Sequence, residues 1–148
     1  MKDINKKNIL YLFATLIQIL LFIGAFVLNY FTRRRMGMAR YVLYKNRNWE
    51  NTYPVEEIQT AFTAGLIILS ILLILFFYKN KKRLSRKALY ETAGVFILSG
   101  LWIGFKMLNT TQSIRAYYFI LLVLGAAAVI QILKAAVRIM IELRDQKR

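Results

Sequence analysis

Six basic side chains and four aromatic rings crowd the stretch between Thr32 and Glu57. They are Arg33, Arg34, Arg35, Arg40, Lys45 and Arg47, with Tyr41, Tyr44, Trp49 and Tyr53. Guanidinium forks bind phosphate through two parallel hydrogen bonds, and tyrosine and tryptophan rest at the level of lipid headgroups. The chemistry that follows is capture of an anionic headgroup, or of a phosphate-bearing envelope polymer, at a membrane surface. In the plainer alternative the same residues only anchor a loop at the interface. Arg33, Arg34, Arg35, Arg40, Tyr41, Tyr44, Lys45, Arg47 and Trp49 form the candidate headgroup or partner loop.

Other chemistries are poorly supplied. The seven acids are Asp3, Glu50, Glu56, Glu57, Glu91, Glu142 and Asp145. None is expected near a membrane midplane, where a proton relay or cation pathway needs an ionisable group. The chain has no histidine and no cysteine. That excludes disulfide scaffolds, thiol redox chemistry and metal or haem sites built on those ligands. Acid–base catalysis would fall to Glu50, Glu56 or Glu57 with no imidazole to help. Helix capping and loop solubility explain that trio better. No enzyme activity, cofactor or metal is expected. A net charge of +15 would suggest nucleic acid in a soluble protein. Here the cations flank apolar runs, so anionic membrane lipids are the expected partner and nucleic acid is not.

The elements that must position these residues are four long apolar runs. They cover about 9–31, 58–78, 89–108 and 114–133 of a 148-residue chain that is 58% hydrophobic, with mean hydropathy +0.44. About 20 helical residues cross a hydrocarbon core of roughly 30 Å. The expected fold class is all-α: an integral membrane four-helix bundle, one transmembrane domain over 1–148, in a membrane of the bacterial plasma-membrane type. The first run is longer than the roughly 7–15 apolar residues of a signal peptide and reads as a retained helix.

Charge sets the expected topology. Fourteen cations lie in the N-terminal segment, the second loop and the C-terminal region, against eight in the first and third loops. The positive-inside rule then places both termini in the cytoplasm. The basic, aromatic first loop becomes a long extracytoplasmic one. Arg33-Arg34-Arg35 directly after a span strains this assignment, and a three-span chain whose first run does not cross is the alternative. Pro54 with Glu56 and Glu57 marks the start of the second span. Glu91 and Lys106 suit the two ends of the third span's dipole and lie close enough to its boundaries to snorkel. Ser113 reads as the cap of the fourth.

Three helix faces carry polar or small residues. Gly100 and Gly104 form a GxxxG, Ala61 and Gly65 share its spacing, and Gly125 opens a run of small residues. Such faces let helices approach closely, within one bundle or against a partner. Gln18, Ser70 and Ser99 lie near the middles of three spans and are expected to form one polar layer. Gln131, Lys134, Arg138, Glu142 and Asp145 recur at helical spacing. They give the fourth span an amphipathic extension over 134–146, and Lys134, Arg138, Glu142 and Asp145 are the candidate cytoplasmic docking face. Asn109-Thr110-Thr111 matches a glycosylation sequon, but its loop is too short and too near the membrane for modification to be expected.

The functional positions of four-span families are not reproduced. The acid in span one of small multidrug transporters is missing, as are the cysteines of junction proteins and quinone-linked thiol oxidoreductases. The leading expectation is an accessory or structural subunit that binds another membrane protein, or itself, through small-residue faces. The alternative is a small transporter, lipid-handling protein or pore that recognises anionic headgroups through its first loop. Replacing Arg33, Arg34 and Arg35 with Gln should weaken binding to anionic vesicles by about two orders of magnitude in a flotation assay, at about 1 kcal/mol per surface cation. Unchanged flotation would remove the triad from headgroup binding.

Overall fold

The computed structural model describes residues 2–110 and 112–145, with side chains described over 9–82, 84–110 and 112–144. Five α-helices follow one another: α1 (Lys2–Arg34), α2 (Met36–Thr52), α3 (Val55–Lys79), α4 (Arg86–Leu108) and α5 (Tyr117–Asp145). A short 3-10 turn, Lys81–Arg83, joins α3 to α4. No strand occurs among the described residues. Four segments are long and apolar enough to cross a membrane: Ile9–Arg34, Val55–Lys79, Arg86–Leu108 and Tyr117–Arg144.

The fourth span is the axis of the bundle. Half of its apolar window is buried, against 17% in α1 and 11% in α3. α5 packs on α4 along the most extensive interface and also meets α1 and α3. Its small residues explain that position, because Ala127, Ala128 and Ala135 are fully buried and let neighbouring backbones come close. The core joins Leu66 of α3 and Val95 and Trp102 of α4 to Tyr117, Leu121, Ala128 and Ile132 of α5. Gly125 is the tight point. A Cβ there would lie 3.1 Å from both Phe62 and Trp102. Its absence lets the Trp102 indole N–H reach across and donate to the Leu121 carbonyl at 2.9 Å.

The first loop is mostly a helix, which corrects the sequence reading. α1 ends at Arg34, and one extended residue, Arg35, separates it from α2. Ala39, Val42 and Asn46 are buried and Trp49 is half-buried. Spacings of 3, 4 and 3 put all four on one face. That face lies on the start of α5, where Val42 packs with Ala116 and Ile120. Arg40, Tyr41, Tyr44 and Arg47 stay exposed. α2 is thus an amphipathic helix laid across one end of the bundle, and only Tyr53 and Pro54 separate it from α3.

The boundary signals had mixed outcomes. Pro54 precedes α3, Glu56 and Glu57 stand in its first turn, and Lys106 stands in the last turn of α4. Ser113 does not cap the fourth span. Its hydroxyl closes a turn with the backbone of Thr110, and α5 starts four residues later, at Tyr117. The amphipathic extension is continuous with α5 as far as Asp145.

Asn46 ties α2 down by donating its side-chain amide to the Arg115 carbonyl at 2.8 Å from a site 4% exposed. Asn46→Ala should cost about 1–2 kcal/mol. The expected outcome is a thermal midpoint several degrees lower in detergent and faster proteolysis between α1 and α3.

Candidate functional site

Two sites stand out, one polar and one apolar, on different sides of α5. The polar site joins α1, α4 and α5. Gln131, on α5 and buried, is its hub. Its amide nitrogen donates to the Glu91 carboxylate at 2.8 Å and to the Glu91 carbonyl at 3.0 Å. Its carbonyl oxygen accepts from the Gln18 amide at 3.0 Å. Gln18 also donates to the Ala127 carbonyl at 3.1 Å. Lys134 donates to Thr15 at 3.0 Å and to Gln18 at 3.2 Å, and it pairs with Glu91 at 3.6 Å. One turn further along, the Arg138 guanidinium lies 4.0 Å from the centre of the Tyr11 ring. Gly94 makes room for the hub, because a Cβ there would lie 2.6 Å from the Gln131 amide nitrogen.

These positions correct several expectations. Glu91 does not snorkel outward. It stands five residues inside α4, about 7.5 Å from its start, and turns toward α5. Lys134 and Arg138 do not form a free docking face, since both turn toward α1. Glu142 is also engaged, accepting from the backbone N–H and the hydroxyl of Ser85. The side chain of Asp145 lies outside the described residues, as does Thr111 of the sequon. Charge in hydrocarbon is costly, so the polar stripe of α5 folds inward against other polar groups. The expected single polar layer is two separate contacts. Ser70 and Ser99 bond to each other at 3.2 Å, while Gln18 joins the Gln131 network.

The small-residue faces divide as well. Gly125 is buried in the α3–α4–α5 packing, whereas a Cβ at Gly65, Gly100 or Gly104 would meet nothing within 4 Å. Ala61 is exposed. Of the headgroup candidates, Arg33, Arg34, Arg35, Arg40, Tyr41, Tyr44 and Arg47 are exposed, and Lys45 is half-buried. Arg34 lies over Tyr30 and Arg35 over Phe31, at 5.2 and 5.6 Å. Trp49 turns inward, with its ring 5.1 Å from that of Phe119.

The apolar site is a groove of about 680 Å³ between α3 and α5. Ile58 and Phe62 form one wall, and Leu121, Leu122, Ala126, Val129 and Ile130 form the other. Gly125 and Trp102 close the floor, and Trp49 and Tyr53 cover the end nearest α2. From Tyr118 to Ile130 it runs about 18 Å along α5. That is slightly more than half of a 30 Å hydrocarbon core. At its mouth the Tyr118 hydroxyl donates to Glu50 at 2.7 Å, fastening α2 to α5. Sequence reading missed this groove. The available signal was Gly125 one turn from Leu121, with the aromatic pair Trp49 and Tyr53 just before Pro54.

No grouping of three or more potential metal ligands occurs among the described residues. Comparison with family models, curated proteins and solved structures finds no match for the chain.

Apart from Tyr11 and Arg138, every buried polar atom of the polar site has a partner, so the site acts first as a fastening for α1. Lys134→Met leaves Glu91 without its cation and should cost about 3 kcal/mol. The Glu91→Leu/Lys134→Met double variant should cost less than the sum of the single changes. Unfolding of the purified protein in mixed micelles measures both, and strict additivity would dissolve the pair as an energetic unit.

Proposed function

We propose that this chain is a small, non-catalytic lipid-handling protein of the membrane that holds a phospholipid acyl chain in the groove between α3 and α5. The observation that carries the reading is the groove itself. It is lined almost wholly by apolar side chains, opens between two candidate spans and is covered by an amphipathic helix at one end. Within a bilayer such a space fills with hydrocarbon, because its walls offer water too few hydrogen-bonding partners. Its length matches the depth of one leaflet. The exposed cations Arg33, Arg34, Arg35, Arg40 and Arg47 draw the α2 end onto an anionic surface, which adds affinity without selecting a lipid. Both termini lie in the cytoplasm in this reading, with α2 on the outer leaflet.

A second reading, a subunit of a larger membrane assembly, is favoured by the outward-facing glycines Gly65, Gly100 and Gly104. A partner helix or a second copy would use these surfaces. The two readings are compatible, since the glycine faces and the groove lining share no residue.

Ala126→Trp and Val129→Trp place bulk in the groove from half-buried and exposed positions. The expected outcome is normal folded yield with loss of most co-purifying phospholipid, read by native mass spectrometry. Equal lipid on wild-type and both variants would reject the groove as the binding site.

A further inference from the structure

At the mouth of the groove Glu50 meets Tyr118, and Glu56 and Glu57 stand next in the chain to Val55 and Ile58, which line it, in a chain that is otherwise strongly cationic. Three of the seven acids, Glu50, Glu56 and Glu57, lie along the chain beside Trp49, Tyr53 and Val55, which line it. Among the described residues none of the three has a cation within 4.0 Å, and the ion pair found is Lys134–Glu91. Glu56 and Glu57 are accounted for by the first turn of α3, where carboxylates suit the dipole. Glu50 is not. It stands in the last turn of α2, the negative end of that helix, where an acid is disfavoured. The Tyr118 hydroxyl engages one of its oxygens and leaves the other available. A carboxylate held at an unfavourable helix end and lacking a protein cation is arranged to receive one from outside. The rings of Trp49, Tyr53 and Tyr118 line the same mouth, and aromatic faces attract ammonium groups.

We propose that the groove selects a phospholipid whose head bears a primary ammonium, seated between Glu50 and Glu56 and the rings of Trp49, Tyr53 and Tyr118. The inference rests on the lipid-handling reading and adds the chemistry of the head. Arg47 and Arg115 are exposed and stand three residues before Glu50 and Tyr118 in the chain. A glycerol-headed phospholipid presents no cation to Glu50. A choline head offers a cation but no N–H donor for the carboxylates.

The test uses the full chain in mixed micelles with equimolar phosphatidylethanolamine, phosphatidylglycerol and phosphatidylcholine, with retained lipid read by native mass spectrometry. The expected result is retention of phosphatidylethanolamine about fivefold over phosphatidylglycerol. Glu50→Gln with Glu56→Gln should abolish that preference, and the side-chain amide oxygen introduced by Glu50→Gln still accepts from Tyr118. A wild-type protein that retains lipid but shows no preference, or prefers phosphatidylglycerol or phosphatidylcholine, overturns the head assignment and leaves the groove intact. A preference that survives the double substitution also overturns it. A wild-type protein that retains no lipid removes the lipid-handling reading, and this inference with it. Should the double variant not fold, the wild-type competition alone decides.

Discussion

Hydrocarbon surrounds these helices, so burial of apolar side chains does little to hold them together: a leucine is as comfortable against a lipid tail as against another leucine. Cohesion has to come from close packing and from polar groups that lipid cannot satisfy. The chain divides the two tasks. α3, α4 and α5 cohere through close approach, with Gly125 and the fully buried Ala127, Ala128 and Ala135 admitting their neighbours. Only 17% of the apolar window of α1 is buried, and the helix is held largely by Gln18, Thr15 and Tyr11 against Gln131, Lys134 and Arg138. Interhelical hydrogen bonds in membranes average about 0.6 kcal/mol each, so a network of several is needed to fix one helix.

That constraint also explains the separation of the two sites. Ionised groups cluster where α1, α4 and α5 meet and satisfy one another there, which leaves the side of α5 that faces α3 free to be apolar. The groove has defined boundaries. Its floor depends on Gly125, its cover on the α2 aromatics, and its register on the Tyr118–Glu50 hydrogen bond. α2 links the parts: one extended residue joins it to α1, and two residues join it to α3.

The spans were legible because a run of about 20 apolar residues has few other destinations. Pro54 with Glu56 and Glu57 was legible because proline and acids suit a helix start for local reasons. α2 is hidden by a composition that its cations and tyrosines dominate; the informative signal is the spacing of Ala39, Val42, Asn46 and Trp49. The polar site was illegible for a different reason. Glu91 and Gln131 are 40 residues apart, and Gln18 and Gln131 are 113 apart. Which side of one helix faces another depends on packing across the bundle, and no local pattern records it. Lys134, Arg138 and Glu142 share one stripe of α5 by their spacing, but the stripe's direction, inward rather than toward solvent, is set in three dimensions.

The long reach of those bonds has a consequence for biosynthesis. Chains emerge from the ribosome N-terminus first, so α1 enters the bilayer before α5 exists. Thr15 meets Lys134 at a sequence separation of 119, and Gln18 meets Gln131 at one of 113. Throughout translation of the middle of the chain, Gln18 has lipid or the insertion machinery for company. Of the four spans, α1 is thus made earliest and docks on α5 latest, and until α5 arrives Gln18 lacks the partners it has in the finished bundle.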